Sequence, residues 1–248
     1  MKIIESVANE IIKQTVKLHT SQGRKEQNAF IAEGKRTCQT FIEHGYIPLE
    51  LFVTKENTFF AQQVPSETIV TMVSEIVMKK ISTASTPSGI LCVFEIPRKI
   101  TSSDLSSGLV LANITDPGNM GTLIRSAAAF GFKTVIVVEG CDPFSPKSLQ
   151  ASVGSLPLVN LYQWGWKELM AHKNKVHLAA LVVDGGATFE NLPSKNVLFV
   201  VGNEAHGLPQ EWINECASQI TIPMASEVDS LNAAIAGTVA LALYRNKL

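Results

Sequence analysis

Asn119 and Arg125 stand six residues apart in the stretch 113–132, NITDPGNMGTLIRSAAAFGF. One offers a neutral amide that both donates and accepts; the other carries a permanent charge on a planar fork of five donors. Asp-Pro-Gly-Asn punctuates a tight turn. The residues after it, 122–130, contain no breaker, are rich in Ala, Leu and Ile, and predict a helix. An apolar run, 108–112, comes just before. In a strand–turn–helix unit the backbone N–H groups at the helix start face whatever ligand sits beyond the strand. Asn119 is therefore expected in the turn, with Arg125 about two helical turns further on or less. Two later stretches, GNEAHGLP (202–209) and IPMASEVDSLNAAIAG (222–237), also follow apolar strand-like runs. Three polar loops at three strand ends are what an α/β site requires.

The elements that must position these residues are of two kinds. In residues 108–248, strand-like runs fall at 109–112, 134–138, 177–183, 197–201 and 219–222. Several are continuously apolar, the pattern of strands buried on both faces of a parallel sheet. Helix-like segments lie at 123–130, 165–171, 210–216 and 231–244, with Ser230 placed as the cap of the last. In residues 1–98 a helix is expected over 6–19, a polar turn over 21–28, a strand from Phe30, a helix over 36–44 and a strand over 48–54. A strand and helix follow over 66–80, and a strand over 90–96 closes this half. Residues 97–107 are polar. The reading is an α/β protein with a small N-terminal α/β domain over 1–98, a linker over 99–107 and a parallel-sheet domain over 108–248.

Composition narrows the function classes. The chain has 248 residues, 46% of them hydrophobic, and a formal net charge of -1, so bulk electrostatics do not mark a nucleic-acid binder. Residues 13–36 are locally basic, with Lys13, Lys17, Arg24, Lys25, Lys35 and Arg36 against Glu26 and Glu33. A solvated helix face accounts for that cluster on charge alone. The four cysteines are scattered and no His sits at ligand spacing, so reduced thiols of a cytoplasmic protein and no metal site are expected. No apolar run reaches membrane-spanning length, and the N-terminus has no secretory apolar core. There is no G-x-G-x-x-G after a strand, no P-loop, no H-E-x-x-H and no G-x-S-x-G. Taken singly, DPGN reads as a turn, GNEAHG as a strand-end loop and SLNAA as a helix start.

Their joint order changes the weighing. DPGNMGTLIRSAAAFG, VVGNEAHGLP and IPMASEVDSLNAAIAG resemble, in sequence and in order, the three motifs of the SpoU family of RNA ribose 2′-O-methyltransferases, within the SPOUT superfamily. Upstream, residues 12–36 and 81–95 resemble the small substrate-binding domain, related to ribosomal RNA-binding proteins, that precedes many such enzymes. The third motif reads SLNAAIA where many relatives have SLNVSVA.

The resemblance implies a parallel-sheet fold closed by a deep trefoil knot, S-adenosylmethionine as methyl donor and an RNA ribose hydroxyl as acceptor. It implies an active site of Arg125, Asn119, Glu204, Ser230 and Asn232. The methyl donor would be held by Val182, Val183, Gly202, Asn203, Ile222, Met224 and Leu231. Lys17, Arg24, Lys25 and Arg36 are the candidate RNA phosphate contacts, which position RNA without reading its sequence. Ribosomal RNA is the expected partner ahead of transfer RNA, and a homodimer through the C-terminal domain is implied. The alternative reading is a non-catalytic RNA-binding or ribosome-assembly protein that keeps the fold.

Overall fold

Short apolar runs alternating with capped helices become two α/β units in the computed structural model, which describes residues 1–97, 105–225 and 227–248. The first unit carries β1 (Lys2–Ile4), α1 (Glu10–Lys17), α2 (Ser21–Gln27), β2 (Ala29–Glu33), α3 (Lys35–Glu43), β3 (Pro48–Val53), β4 (Ile69–Val73), α4 (Glu75–Ile81) and β5 (Ile90–Glu95). Its sheet has the order β1-β4-β3-β5-β2. β1, β4 and β3 run parallel to one another, while β5 pairs antiparallel with both β3 and β2. Alternation along α1 turns Ile12 and Val16 toward Val77, Met78 and Ile81 of α4, the apolar stripe that an amphipathic helix buries. Phe30, Phe41 and Phe94 stack on the other side with ring centroids 5.2 to 5.6 Å apart.

The second unit carries β6 (Gly108–Ala112), α5 (Pro117–Ala129), β7 (Thr134–Val138), then, after an excursion, β8 (Asn160–Trp164), α7 (Trp166–Met170), β9 (His177–Val182), β10 (Val197–Val201), α8 (Gln210–Glu215), β11 (Ser218–Thr221) and α9 (Ala233–Lys247), with α6 (Pro146–Ser152) lying in the excursion. Its six strands are parallel, in the order β11-β9-β10-β6-β7-β8. β6, β7 and β10 are buried along their whole length, as strands covered on both faces must be. Strand order reverses where β10 lies beside β6, so the loops after these two strands emerge side by side at their carboxyl ends. That crevice is where open α/β sheets bind ligands.

Three expectations need correction. Residues 21–28 are not a turn but the helix α2, whose sequence SQGRKEQ has no apolar residue to show a period. It is held instead by Thr20, which caps it by accepting from the Gly23 amide at 3.1 Å, and by Arg24. Strand β8 was missed because NLYQW buries only Tyr162 and Trp164 and carries polar residues between and before them. The contiguous division at 98 and 108 also fails. Asp142–Pro157, including α6, belongs to the first unit, where Phe144 lies 5.0 Å from Phe30. Leu105 is buried in the second unit, and the Ser106 amide donates to Thr134 Oγ1 at 3.0 Å. The remainder of the expected linker, 99–104, lies outside the described residues.

The excursion is pinned by an ion pair. Arg24 is 3% exposed. Its Nε donates to Asp142 Oδ2 at 2.7 Å, and its Nη1 donates to the carbonyls of Leu18 and His19 at 2.9 and 3.1 Å. A guanidinium buried in this way and held by a carboxylate and two carbonyls does not meet an RNA phosphate, which removes Arg24 from the candidate contacts. Lys17, Lys25 and Arg36 are exposed. Truncating one partner of a buried ion pair leaves the other uncompensated, at a cost of 3–5 kcal/mol in well-buried cases. Asp142 keeps 28% of its side-chain exposure, so the Arg24→Met variant is expected to lose about 3 kcal/mol, read as an earlier urea midpoint at unchanged slope.

Candidate active site

The loop after β6 begins with Asn113 in the left-handed region, φ 55°. Its amide donates to the Val138 carbonyl, while Ile114 turns fully inward. Asp116 then caps α5, accepting from the Asn119 amide at 2.8 Å, with Pro117 at the first helical position. That combination starts a helix at once, so Asn119 sits in the first helical turn rather than in a preceding loop. The loop after β10 is closed by Asn203. Its side-chain oxygen accepts from the Ala205 and His206 amides, and its backbone exchanges hydrogen bonds with Gly207. Gly202 lies so close beneath this loop that a Cβ there would meet the Gly207 carbonyl carbon at 2.5 Å, which makes glycine obligatory at that point.

The two loops are joined through one carboxylate. Glu204 accepts from the Thr115 amide at 3.3 Å, the Thr115 hydroxyl at 3.1 Å, the Asp116 amide at 3.2 Å and Asn119 Nδ2 at 2.9 Å. A carboxylate can only accept, so Asn119 must present its NH2 here and its carbonyl oxygen elsewhere. That oxygen accepts from Asn232 Nδ2 at 3.1 Å. Asn232 in turn caps α9, its oxygen accepting from the Ala234 and Ile235 amides at 2.8 and 3.2 Å. The cap of α9 is thus Asn232, not Ser230, because the helix begins at Ala233. Partial burial pushes the Glu204 carboxyl up, but hydrogen bonds from Asn119, from its own backbone and from the Thr115 and Asp116 amides outweigh it, and the group lies below its ordinary value of 4.5.

Beside this network is a cleft of about 350 Å³, within the range of small-molecule sites. Val182, Val183, Gly202, Asn203, Ile222, Met224 and Leu231 all line it, as do Glu204 and Ser230. Asn119 and Asn232 are tied to its wall through Glu204. Arg125 is outside the lining, six residues along α5 from Asn119 and so about 9 Å away along the helix axis. Its side chain is exposed and makes no hydrogen bond or ion pair to the described residues. Thr115 was not singled out from sequence, although it meets Glu204 with two donors. Its only signal was its place just before the helix cap. Among the described residues no group of three or more His, Cys, Asp or Glu could hold a metal, and no helix is long and apolar enough to cross a membrane.

A model of the SpoU rRNA Methylase family matches residues 107–242. The chain belongs to that family. The family's substrate-binding companion, described as the MRM3-like substrate binding domain, matches residues 9–92. Among SpoU relatives, the Bacillus subtilis 23S rRNA (guanosine(2553)-2'-O)-methyltransferase RlmP is 30% identical, with 96% of this chain and 97% of that one covered. The Streptomyces viridochromogenes 23S rRNA (uridine(2479)-2'-O)-methyltransferase is also 30% identical, over 88% of this chain and 83% of that one. The AdoMet-bound rRNA methyltransferase from Sinorhizobium meliloti superposes with a TM-score of 0.91 at 28% identity, covering 100% of this chain and 98% of that one.

The cleft suits the SpoU methyl donor. Its walls are mostly apolar, from Leu181, Val182, Val183, Ile222 and Leu231, fit to cover a flat ring, and among the described residues no Lys or Arg lines it. A carboxylate at its edge and the absence of fixed positive charge are compatible with a sulfonium cation.

Glu204 makes the joined loops sensitive to acid. Its folded pKa lies below the unfolded value, so its contribution to stability is complete above about pH 4.5 and is lost as pH falls through the lower folded value. A Glu204→Gln variant is expected to be less stable than the parent near neutrality, with the gap narrowing below pH 4.5. Denaturant unfolding across pH 3 to 7 measures it, and a gap independent of pH would contradict the assignment.

Proposed function

We propose that this chain is an S-adenosylmethionine-dependent methyltransferase that modifies a ribose 2′-hydroxyl of ribosomal RNA. The observation that carries this reading is the cleft lined by the second and third strand-end loops, with Glu204, Asn119 and Asn232 tying the first loop to them. S-adenosylmethionine supplies a methyl group already activated on a positively charged sulfur. The protein's own task is to hold two reactants together and to ease loss of the hydroxyl proton. Positioning of this kind can lower a barrier by about 7–11 kcal/mol.

Arg125 serves the second task. A guanidinium stays protonated in proteins, so Arg125 is not the base; it grips an RNA phosphate and stabilises the developing alkoxide, while phosphate or water accepts the proton. Asn119 and Asn232 are positioning groups whose amide orientations are set by Glu204. Val182, Val183, Gly202, Asn203, Ile222, Met224 and Leu231 hold the donor. Ser230, exposed at the cleft edge and with no hydrogen bond among the described residues, is free to meet either reactant. Lys17, Lys25 and Arg36 offer exposed cations to the RNA backbone.

In this reading the enzyme works as a homodimer in the cytoplasm, with the knotted connection of its family carrying the chain from β11 back to α9. Two features support the dimer. Arg125 stands outside the cleft of its own chain, and residues 233–244 of α9 carry only Thr238 and the Tyr244 hydroxyl as polar groups. Ala233, Gly237, Ala240, Leu241 and Tyr244 of that helix face the core, yet Ile235 is 53% exposed and Leu243 39%. A helix without a polar face is one that is covered. Ile235→Asp is expected to give monomers by sedimentation and to reduce methyl transfer at least tenfold; dimers of ordinary stability would sink the α9 interface.

Methyl incorporation from labelled donor into unmodified 23S RNA tests the activity itself. Donor binding by calorimetry without transfer to any RNA would favour a binding protein instead. Removing one preorganised donor typically costs about 2.7–4 kcal/mol in the transition state. Arg125→Lys is expected to be nearly as damaging as Arg125→Ala, at about 100- to 1000-fold in kcat, because a point charge does not replace the fork. Near-normal turnover by the lysine variant rules out the role given to Arg125.

A further inference from the structure

The first unit exposes one aromatic ring. Phe59, in the 3-10 segment Lys55–Gln63, is 46% exposed, while every other aromatic side chain of the described residues is buried or half-buried. A single exposed apolar residue needs no explanation by itself. Three further observations give this one a context.

First, the ring is carried on a rigid mount. Its neighbour Phe60 is fully buried. Asn57 Nδ2 donates to Thr54 Oγ1 at 2.9 Å, and the Thr54 amide donates to the Gly89 carbonyl at 3.0 Å. Gly89 has φ +77°, and a Cβ there would meet Asn57 Nδ2 at 2.4 Å, so only glycine lets the segment lie down this closely. Second, a cation is already paired with the ring: Lys35 Nζ lies 5.1 Å from its centroid, and the exposed Arg36 and Lys55 belong to the same two elements as Lys35 and Phe59. Third, Gly34 and Ser88, which flank this mount, also line a cleft of about 190 Å³ with Thr37, Thr86, Leu149 and Gln150. That volume is below the range of whole-cofactor sites and suits one flat ring.

We propose that Phe59 is a stacking platform for an unpaired RNA base, with Lys35 and Arg36 contacting the phosphates beside it. The proposal rests on the RNA methyltransferase reading and names a residue that determines how the first unit grips its substrate. Every base has a π face and every linkage a negative charge, so an exposed ring flanked by cations is suited to single-stranded RNA. A protein partner would call for a wider apolar surface than one ring among lysines and hydroxyls.

The test uses the full chain, S-adenosylmethionine and an unmodified 23S RNA transcript, with methyl transfer and filter binding measured in parallel. Phe59→Ala and Phe59→Leu are expected to raise KM for the transcript about 5- to 100-fold, with kcat and donor affinity near parental values. Phe59→Trp is expected to restore KM. Lys35→Met is expected to weaken binding and to lower the salt slope by about one ion. A Leu variant with parental KM overturns the proposal, because apolarity alone would then suffice; so does an Ala variant with parental KM, which would point to a protein contact. Should the parent bind transcript without methylating it, the methyl-transfer reading fails, and the Kd series of the same variants still decides the platform. No binding by the parent overturns both.

Discussion

A carboxylate has no hydrogen to give, and the arrangement at the strand ends follows from that. Glu204 collects donors from the loop after β6 and the first turn of α5. Because it can only accept, Asn119 is turned one way round, Asn232 must follow suit, and the oxygen left over on Asn232 is the one that starts α9. A chain of four groups therefore has a single direction, set at one end by a charge and at the other by a helix. Swapping the Asn119 amide for a carboxylate would put two acceptors face to face. This is how three stretches, the first and last of them 113 residues apart, are tied together at the wall of one cleft.

The parts of this that were legible in the sequence are those where chemistry and period coincide. Uninterrupted apolar runs marked β6, β7, β9 and β10, and polar loops after them marked the places where Asn119, Glu204 and Asn232 would emerge. What was not legible depends on distant partners. Ser230 and Asn232 are both good capping residues; it is Asn232 that accepts from the first amides of the helix, while its amide nitrogen is held by distant Asn119. Arg24 looked like one more member of a basic cluster; its burial depends on Asp142, 118 residues away. Helix α2 has no apolar stripe to reveal, since its buried members are Gly23 and Arg24.

The two units differ in build. The second holds its cleft at the carboxyl ends of a parallel sheet whose β6, β7 and β10 are buried along their whole length, so that the position of Gly202, the residue after β10, is inherited from strand packing. The first is a mixed sheet with exposed cations and one exposed aromatic ring.

The first unit is not assembled from one continuous stretch. Phe30 rests against Phe144, and Arg24 against Asp142, so its core is complete only when residues 142–157 are present. During synthesis the chain emerges from its N-terminus. The N-terminal domain must therefore wait, with an apolar face uncovered and a guanidinium without its counter-charge, until part of its successor has left the ribosome. The same dependence means that a fragment ending near residue 98 lacks a piece of itself, and that exchanging this domain between relatives requires carrying the later helix along with it.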